Sequence, residues 1–406
     1  MKKQAQFVVF MVLIAILAAC GSPMAIDENQ PSFNQVETLV ALTFQALATQ
    51  EMDMSTGVPG LLPHALYFLG NDSQAVSQIY RLERDGKTKT QLTYESTDVT
   101  DYDVSRADGS LVYEVGDQLV LINADGSNRR LVVDTNIPPD VRESFNPVFS
   151  PDGGTLAFAH QGLVLYSISS GTASQVLTDQ LQDVGNGQFI PIETYFPESY
   201  SPDGSKLLVA LGHWEVAPSH AIYDPATNTL IRHAEVTDYI YCCSFHGGPV
   251  WSANSSSFYG VASVHDTAYK SGELWRVNAA DGAITRMLKG ENGNIDLPKM
   301  PYLAPNGQLY FFLGSYNVDS GLFDAPLLEM VRSAPDGVTN RTVVRSENFV
   351  LMNEALWAPD ASFAIVATAP SRDWNQGGGV LELYYADGKK DPVPLAPFGR
   401  QMKWGP

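Results

Sequence analysis

Aromatic side chains stand beside acids, amides and histidines in four segments of the second half of the chain. Trp and Tyr rings can stack on a sugar ring or pack on a peptide, and neighbouring acids or amides can fix the hydrogen bonds of such a ligand. The candidate ligand-binding residues are His213, Trp214, Glu215, His265, Asp266, Tyr269, Tyr316, Asp319, Arg372, Asp373, Trp374 and Asn375. This combination predicts binding of a protein or a glycan.

The sequence motifs of several enzyme classes are absent. There is no Gly-x-Ser-x-Gly nucleophile elbow, no His-Glu-x-x-His zinc motif and no phosphate-cradling glycine loop. Asp101 and Asp103 lack the spacing of an EF-hand. We therefore assign no catalytic residue, no metal site and no cofactor. One alternative stays open, convergence of His213, His220 and His265 on a metal ion. A carboxylate pair for glycoside hydrolysis cannot be identified, because 45 acidic residues give many coincidental pairs.

The composition indicates a folded, acidic protein. Of the 406 residues 44% are apolar, and 25 basic and 45 acidic residues give a formal charge of −20. A chain this apolar can bury a large core, and a surface this acidic offers no basic stripe to nucleic acid. Three cysteines are too few for a disulfide framework.

Two turn motifs recur along the chain from residue 60 onward. In the first, a strand runs into Pro-Asp-Gly or a variant, at Asp108, Asp152, Asp203, Asn254, Asn306 and Asp360. In the second, Asp-Gly or an equivalent pair joins two strands, at Asp85-Gly86, Asp125-Gly126, Ser170-Gly171, Thr227-Asn228, Asp281-Gly282, Asp336-Gly337 and Asp387-Gly388. Pro fixes φ, and Gly or Asn tolerates a positive φ, so both motifs are hairpin turns.

Two hairpins in each period of about 50 residues correspond to four strands, the content of one blade of a β-propeller. We predict an all-β, seven-bladed propeller over residues 60–406, with a six-bladed ring as the alternative. The first blade lacks its leading strand. Because Trp404-Gly405-Pro406 copies Trp357-Ala358-Pro359, the C-terminal strand is expected to supply it and to close the ring.

The repeats at 150–153 and 201–204 read Ser-Pro-Asp-Gly and are similar to the WD40-like repeats of the TolB family and related bacterial envelope propellers. The resemblance spans nearly the whole chain after the N-terminal segment and implies the propeller fold. Such repeats also occur in peptidase propellers, lyases and scaffolds, so the resemblance implies no single activity.

The N-terminus predicts export and lipidation. Residues 1–19 combine two lysines, an apolar run and small residues, which is the pattern of a secretory signal peptide. Leu17-Ala18-Ala19-Cys20 resembles the bacterial lipobox, which implies that Cys20 becomes the acylated first residue. An ordinary secretory signal is the alternative. Residues 20–33 then form the lipidated cysteine and a spacer, and residues 34–50 an amphipathic helix with Val36, Leu39 and Phe44 on one side.

The four segments with candidate residues belong to the connections between the second and third strands of blades 4 to 7, which are longer than those of blades 2 and 3. All are expected on one face, together with a long aromatic connection over 181–199. We predict a monomeric, lipid-anchored envelope propeller, on the outer membrane or the outer face of the cytoplasmic membrane, that binds a protein or glycan as a scaffold. A propeller-type lyase or hydrolase acting on an extracellular polysaccharide or peptide is the alternative, and an assembly component held by the helix is a third.

The lipobox generates a direct prediction. Replacing Cys20 by Ser should abolish metabolic incorporation of a labelled fatty acid and move the protein from the membrane to the soluble fraction, because the acyl chains hold this acidic body at the membrane. Cys242→Ser is the matched control and should leave labelling unchanged. Equal labelling of the Cys20→Ser variant and the parent chain would contradict the prediction.

Overall fold

A computed structural model describes residues 60–135, 144–213, 216–232, 244–263, 272–288, 294–317, 327–371 and 377–406. These residues belong to the compact unit Gly60–Pro406. The predicted signal peptide, Cys20, the spacer and the helix at 34–50 therefore lie outside the described residues. Within the described ranges there is no helix, and hence none long and apolar enough to cross a membrane.

The described secondary structure consists of 28 strands. The first eleven are β1 (Leu66–Asn71), β2 (Ser77–Leu82), β3 (Lys89–Gln91), β4 (Val99–Val104), β5 (Leu111–Val115), β6 (Gln118–Ile122), β7 (Arg130–Asp134), β8 (Val148–Phe149), β9 (Thr155–Ala159), β10 (Gly162–Ser167) and β11 (Thr172–Thr178). The next nine are β12 (Gln180–Gly185), β13 (Gln188–Tyr200), β14 (Leu207–His213), β15 (Val216–Asp224), β16 (Thr229–Arg232), β17 (Ser244–Trp251), β18 (Ser257–Ser263), β19 (Gly272–Asn278) and β20 (Ile284–Leu288). The last eight are β21 (Asn294–Leu303), β22 (Leu309–Asn317), β23 (Glu329–Ser333), β24 (Thr342–Arg345), β25 (Met352–Trp357), β26 (Phe363–Thr368), β27 (Gly379–Tyr385) and β28 (Val393–Trp404).

Antiparallel pairing groups these strands into seven four-stranded blades, numbered here in chain order. Blades 2 to 6 are β4–β7, β8–β11, β13–β16, β17–β20 and β21–β24, and β12 adds a fifth strand to blade 4. Blade 7 contains β25, β26, β27 and the first half of β28, whereas blade 1 contains the second half of β28 with β1, β2 and β3. Seven is the number of blades that the repeats predict, and the all-β propeller prediction is confirmed.

The last strand belongs to two blades at once. Its first half pairs with β27, with Val393 opposite Leu383, and its second half pairs with β1, with Trp404 opposite Leu66. The described chain therefore begins and ends in the same blade. The C-terminal strand supplies the leading strand that the first blade lacks, as its copied Trp-Gly-Pro sequence indicated.

Alternating side chains on each central strand pack against the two neighbouring blades. In β26, Ile365 lies in the apolar cluster shared with blade 1, whereas Ala364 and Val366 lie in the cluster shared with blade 6. Among the described residues, seven such clusters join successive blades, including blade 7 to blade 1. A strand that is buried on both sides requires apolar residues at successive positions, which explains runs such as FAIVA in β26.

The predicted turns have the chemistry that their sequences indicate. In each of the six Pro-Asp-Gly turns, the Asp or Asn side chain accepts a hydrogen bond from the backbone N–H two residues later, as Asp152 does from Gly154 at 2.9 Å. Gly126 in an Asp-Gly turn has φ +84°, and a Cβ there would lie 2.6 Å from the carbonyl oxygen of Leu92. Glycine is therefore required both for the turn and for close packing on the previous blade.

A tryptophan near the end of the inner strand ties three pairs of neighbouring blades together. The Trp404 indole N–H donates to the Trp357 carbonyl at 2.8 Å, and the Trp357 indole donates to the Met300 carbonyl at 2.8 Å. Trp251 makes the equivalent bonds to Ser199, the shorter at 3.1 Å to its hydroxyl. Each indole thus reaches the inner strand of the preceding blade, so that Trp404 bonds the closing strand to blade 7.

Ring closure generates a stability prediction. Trp404 is buried, so Trp404→Ala should lower the free energy of unfolding by about 3–5 kcal/mol, measured by chemical denaturation. Trp404→Phe keeps an aromatic ring but loses the indole hydrogen bond, so it should lower the free energy of unfolding by only about 1 kcal/mol. If Trp404→Ala were as stable as the parent chain, the closing strand would not support the ring.

Candidate functional site

The propeller has two unlike faces. Connections between the first and second and between the third and fourth strands of a blade lie on one face, here called the turn face, and hold the turn motifs. Connections between the second and third strands, and between blades, lie on the opposite face, here called the loop face. The residues between the second and third strands are 116–117 in blade 2 and 160–161 in blade 3. They are 264–271, 318–328 and 369–378 in blades 5, 6 and 7.

Ten of the twelve predicted ligand-binding residues lie outside the described residues. They are Trp214, Glu215, His265, Asp266, Tyr269, Asp319, Arg372, Asp373, Trp374 and Asn375. Tyr316 lies in β22, and His213 is the last residue of β14. All twelve therefore remain predictions as ligand contacts.

His213 connects three strands of blade 4. Its Nδ1 lies 2.8 Å from the Ile192 carbonyl oxygen, which can only accept, so Nδ1 carries the proton. Nε2 then accepts from the Ser219 hydroxyl at 3.2 Å. His220 is buried, and its Nε2 lies 3.0 Å from a Glu198 carboxylate oxygen. Within the described ranges no three His, Cys, Asp or Glu side chains are placed to hold a metal ion.

The connection predicted over 181–199 is a β-hairpin. β12 and the first half of β13 pair with each other, Leu181 opposite Pro191 and Asp183 opposite Phe189, before β13 continues as the inner strand of blade 4. Blade 4 likewise extends β14 and β15, so that His213 pairs with Val216. The additional residues of blade 4 therefore form strands where the sequence led us to expect loops.

The tip of this hairpin is apolar and exposed. Leu181 is 55% exposed and Phe189 60%, and Val184 and Ile192 are also largely exposed. Seven of the ten large apolar side chains that are exposed in the described chain lie on the loop face: Tyr94, Leu181, Val184, Phe189, Ile192, Leu327 and Val380. Burial of such surface is favourable, and most of the exposed apolar side chains of the described residues are on this face.

The base of the hairpin is held by an ion pair between the buried carboxylate of Glu193 and the half-exposed guanidinium of Arg232. The Glu193 carboxylate accepts hydrogen bonds from both terminal nitrogens of Arg232, at 2.6 and 2.8 Å, and from the Tyr195 hydroxyl at 2.6 Å. Burial alone would raise the pKa of Glu193, but the bonds from Arg232 and Tyr195 outweigh it and lower the pKa. The carboxylate therefore stays ionised and fixes the root from which the tip extends.

Charged side chains line the centre of the ring, where the first strands of successive blades contact one another. The Lys403 ammonium lies 2.9 Å from Asp103, and Asp103 also accepts from the Phe149 N–H at 2.7 Å. The Gln401 N–H donates to Glu354 at 2.6 Å, and the Tyr102 hydroxyl donates to the Gln401 carbonyl at 2.7 Å. The closing strand is thereby bonded to blade 7 on one side and to blade 2 on the other.

Three carboxyl groups at this centre have raised pKa values. Burial is the main cause for Asp101, Glu114 and Glu354, and for Glu354 the backbone N–H groups of Gln401 and Met402 oppose it. Asp101 pairs with Glu114 across β4 and β5 and adds to the rise in the pKa of Glu114, whereas Asp103 adds to the rise in the pKa of Asp101. Burial opposes the charge of Lys403, yet Asp103 and Asp101 outweigh it and raise its pKa.

These central residues were not identified from the sequence as a site. Lys403 and Asp103 are 300 residues apart, and nothing in their local sequences connects them. The sequence signal that could have identified them is a charged residue near the end of an inner strand, such as Lys403 immediately before Trp404. Such a residue faces the centre of the ring because its neighbours pack between the blades.

A groove of about 500 Å³ lies on the turn face between blades 3 and 4. Its walls include Pro151, Asp152, Tyr200, Asp203 and Pro225. Both carboxylates are engaged within their own turns, which lowers their pKa values. The groove therefore follows from the turn geometry, and it lies on the face opposite the predicted ligand residues.

The raised pKa of Glu354 generates a pH prediction. A carboxyl whose pKa is raised by folding binds its proton more tightly in the folded state, so its contribution to stability is complete below its ordinary pKa and is lost as the pH rises through the raised value. The unfolding free energy of Glu354→Gln, relative to the parent chain, should therefore increase as the pH rises from about 4.5. Denaturant titrations at several pH values measure this difference.

Asp336→Asn is the matched control, with the opposite sign. Hydrogen bonds from Thr339 and Val338 lower the pKa of Asp336, so its stabilising contribution is present above its ordinary pKa and is lost as the pH falls. The stability of Asp336→Asn relative to the parent chain should fall as the pH rises. A pH-independent difference for Glu354→Gln would contradict the assignment.

No protein-family model and no curated protein sequence matches this chain. Solved structures do. Oligogalacturonate lyase from Vibrio parahaemolyticus is 13% identical with a TM-score of 0.51, over 84% of this chain and 87% of the lyase. A puromycin-hydrolysing peptidase of Mycobacterium tuberculosis is 11% identical with a TM-score of 0.52, over 82% of this chain and 53% of the peptidase. TolB from Acinetobacter baumannii is 14% identical with a TM-score of 0.43, over 93% and 74%. At these identities the likeness to the lyase and the peptidase shows the β-propeller fold, and these two proteins have different activities.

Proposed function

We propose that this protein is a lipid-anchored β-propeller of the bacterial cell envelope that binds a protein or glycan ligand on its loop face and acts as a scaffold. The observation that carries the proposal is the difference between the two faces of one ring. The turn face is built from tight, internally hydrogen-bonded turns, and the loop face carries the hairpin and the exposed apolar side chains.

A rigid ring favours this use of its connections. The blades are joined through apolar clusters and the closing strand, so the strands that flank adjacent connections keep fixed positions relative to one another. A ligand that contacts several blades then loses less conformational entropy on binding. The apolar hairpin supports a protein ligand, and the predicted aromatic, acidic and amide residues of blades 5 to 7 support either a protein or a glycan.

The envelope location rests on the N-terminal sequence. The signal peptide and the lipobox predict a protein tethered outside the cytoplasm, with the propeller after a segment of about 40 residues. The charge of −20 keeps the body from associating with anionic lipid by itself. The acyl group on Cys20 would therefore hold the propeller at the membrane while the loop face remains available to a ligand.

A second candidate is a lyase or hydrolase acting on an extracellular polysaccharide or peptide. The observation that favours it is the presence of three buried carboxyl groups, Asp101, Glu114 and Glu354, whose pKa values are raised mainly by burial, as those of catalytic acids often are. The oligogalacturonate lyase has the same fold. Incubation with oligogalacturonate should release shortened products if this candidate is right, and Glu354→Gln should abolish their release.

The binding function can be tested by comparing the two faces. The full chain and three variants are immobilised and exposed to envelope extract and to a panel of envelope glycans. Phe189→Asp and Trp374→Ala alter the loop face, and Val338→Asp places the same charge on a turn-face residue that is 53% exposed. We expect a species retained by the parent chain and by Val338→Asp to be lost, or weakened at least about tenfold, with a loop-face variant.

Retention that is equal for all four proteins would contradict a loop-face site. Loss with Val338→Asp alone would place the ligand on the turn face and would also contradict the proposal. Circular dichroism and thermal unfolding of each variant establish that a loss of binding does not come from a loss of folding.

A further inference from the structure

The strand β12 has an open edge. In blade 4 the strand order is β12, β13, β14, β15, β16, so β12 pairs on one side only, and all six of its residues are exposed. The outward backbone N–H and C=O groups of an edge strand are free to pair with another strand. This edge lies on the loop face, in the connection that leads from blade 3 to blade 4.

Five of the six fourth strands in blades 1 to 6 contain a Lys or Arg, although Arg345 in β24 is buried, and β11 contains none. Lys or Arg occurs in β3, β7, β16, β20 and β24, at Lys89, Arg130, Arg232, Arg286 and Arg345. Lysine, charge and proline are the usual devices that protect an edge. The sequence of β12, QLQDVG, contains no Lys, Arg or Pro. Its edge is therefore chemically open to pairing.

The side chains of the hairpin are arranged to cover an added strand. Paired residues share a side of the ribbon, so Leu181, Asp183, Phe189 and Pro191 lie on one side and Val184 on the other. Apolar contact is thus available on both sides of the ribbon. The base is fixed through Glu193, whereas the tip carries a single charge, Asp183, whose carboxylate accepts from the Gly185 N–H at 2.7 Å.

We propose that β12 accepts an additional β-strand from a partner polypeptide, an extended segment with apolar side chains at alternate positions and basic residues between them. The open backbone edge supplies the main-chain hydrogen bonds, and Leu181 and Phe189 supply the apolar contact. The basic residues follow from charge complementarity, since the hairpin tip has one carboxylate and no cation and the chain has a charge of −20. This inference rests on the proposed function, because it specifies the ligand and how the loop face binds it.

The test uses the purified full chain and a short synthetic peptide of alternating valine and lysine. Binding is measured by fluorescence anisotropy, and hydrogen exchange identifies the amides that the peptide protects. We expect saturable binding with protection confined to β12 and the adjoining part of β13. The same peptide N-methylated at consecutive central residues keeps its side chains but cannot donate main-chain hydrogen bonds, so it should not bind.

Variants separate strand addition from adhesion to an acidic surface. Leu181→Asp should weaken binding at least about tenfold, and Val338→Asp, on the turn face, should not change it. Gln182→Lys should weaken binding of the lysine-containing peptide and Gln182→Glu should strengthen it, because the two substitutions put opposite charges on the same edge residue.

Several outcomes would overturn strand addition. They are no binding up to millimolar peptide, equal binding of the N-methylated peptide, and protection away from β12. If an envelope species is lost with Trp374→Ala but retained by Leu181→Asp and Gln182→Lys, the proposed function stands and strand addition fails. If no species depends on the loop face, the proposed function itself fails.

Discussion

The architecture depends on one shared strand. β28 leaves blade 7 at Gly399 and enters blade 1 at Arg400, so a single run of backbone hydrogen bonds joins the two ends of the propeller. A ring of blades without this closure would have an open sheet edge and an incomplete apolar cluster between blades 7 and 1. Gln401 and Lys403 of this strand also make hydrogen bonds to blades 7 and 2, so the closing strand is bonded to its neighbours at the centre of the ring as well.

A closed ring explains why variation is concentrated on one face. Turn motifs contribute to packing where they approach the previous blade closely, as Gly126 does at Leu92. On the loop face the number of residues between consecutive strands differs from blade to blade. Blade 4 converts the additional chain into strands whose root is fixed by Glu193 and Arg232, which gives a protruding hairpin a defined position on the ring.

The fold was accessible from the sequence because its signals are local. Asx turns and Asp-Gly pairs are encoded within four residues, and Trp404-Gly405-Pro406 revealed closure by copying Trp357-Ala358-Pro359. The hairpin was missed although Asn186-Gly187, between alternating residues, is a strong hairpin signal. Its apolar side chains are exposed and do not belong to the apolar clusters between blades, so the repeat pattern of the blades does not include them. The central charges depend on contacts across the ring, such as Lys403 with Asp103, which no local pattern reveals.

The most direct test of the account is residue-resolved native-state hydrogen exchange in β28 of the full chain. If closure supports the whole propeller, the amides of β28 that pair with β1 should exchange with the same free energy as the slowest amides of β14 in the middle of blade 4. They would then open only when the whole ring unfolds. Exchange of these β28 amides by local fraying, while β14 stays protected, would show that the ring persists without its closing strand and would contradict the account.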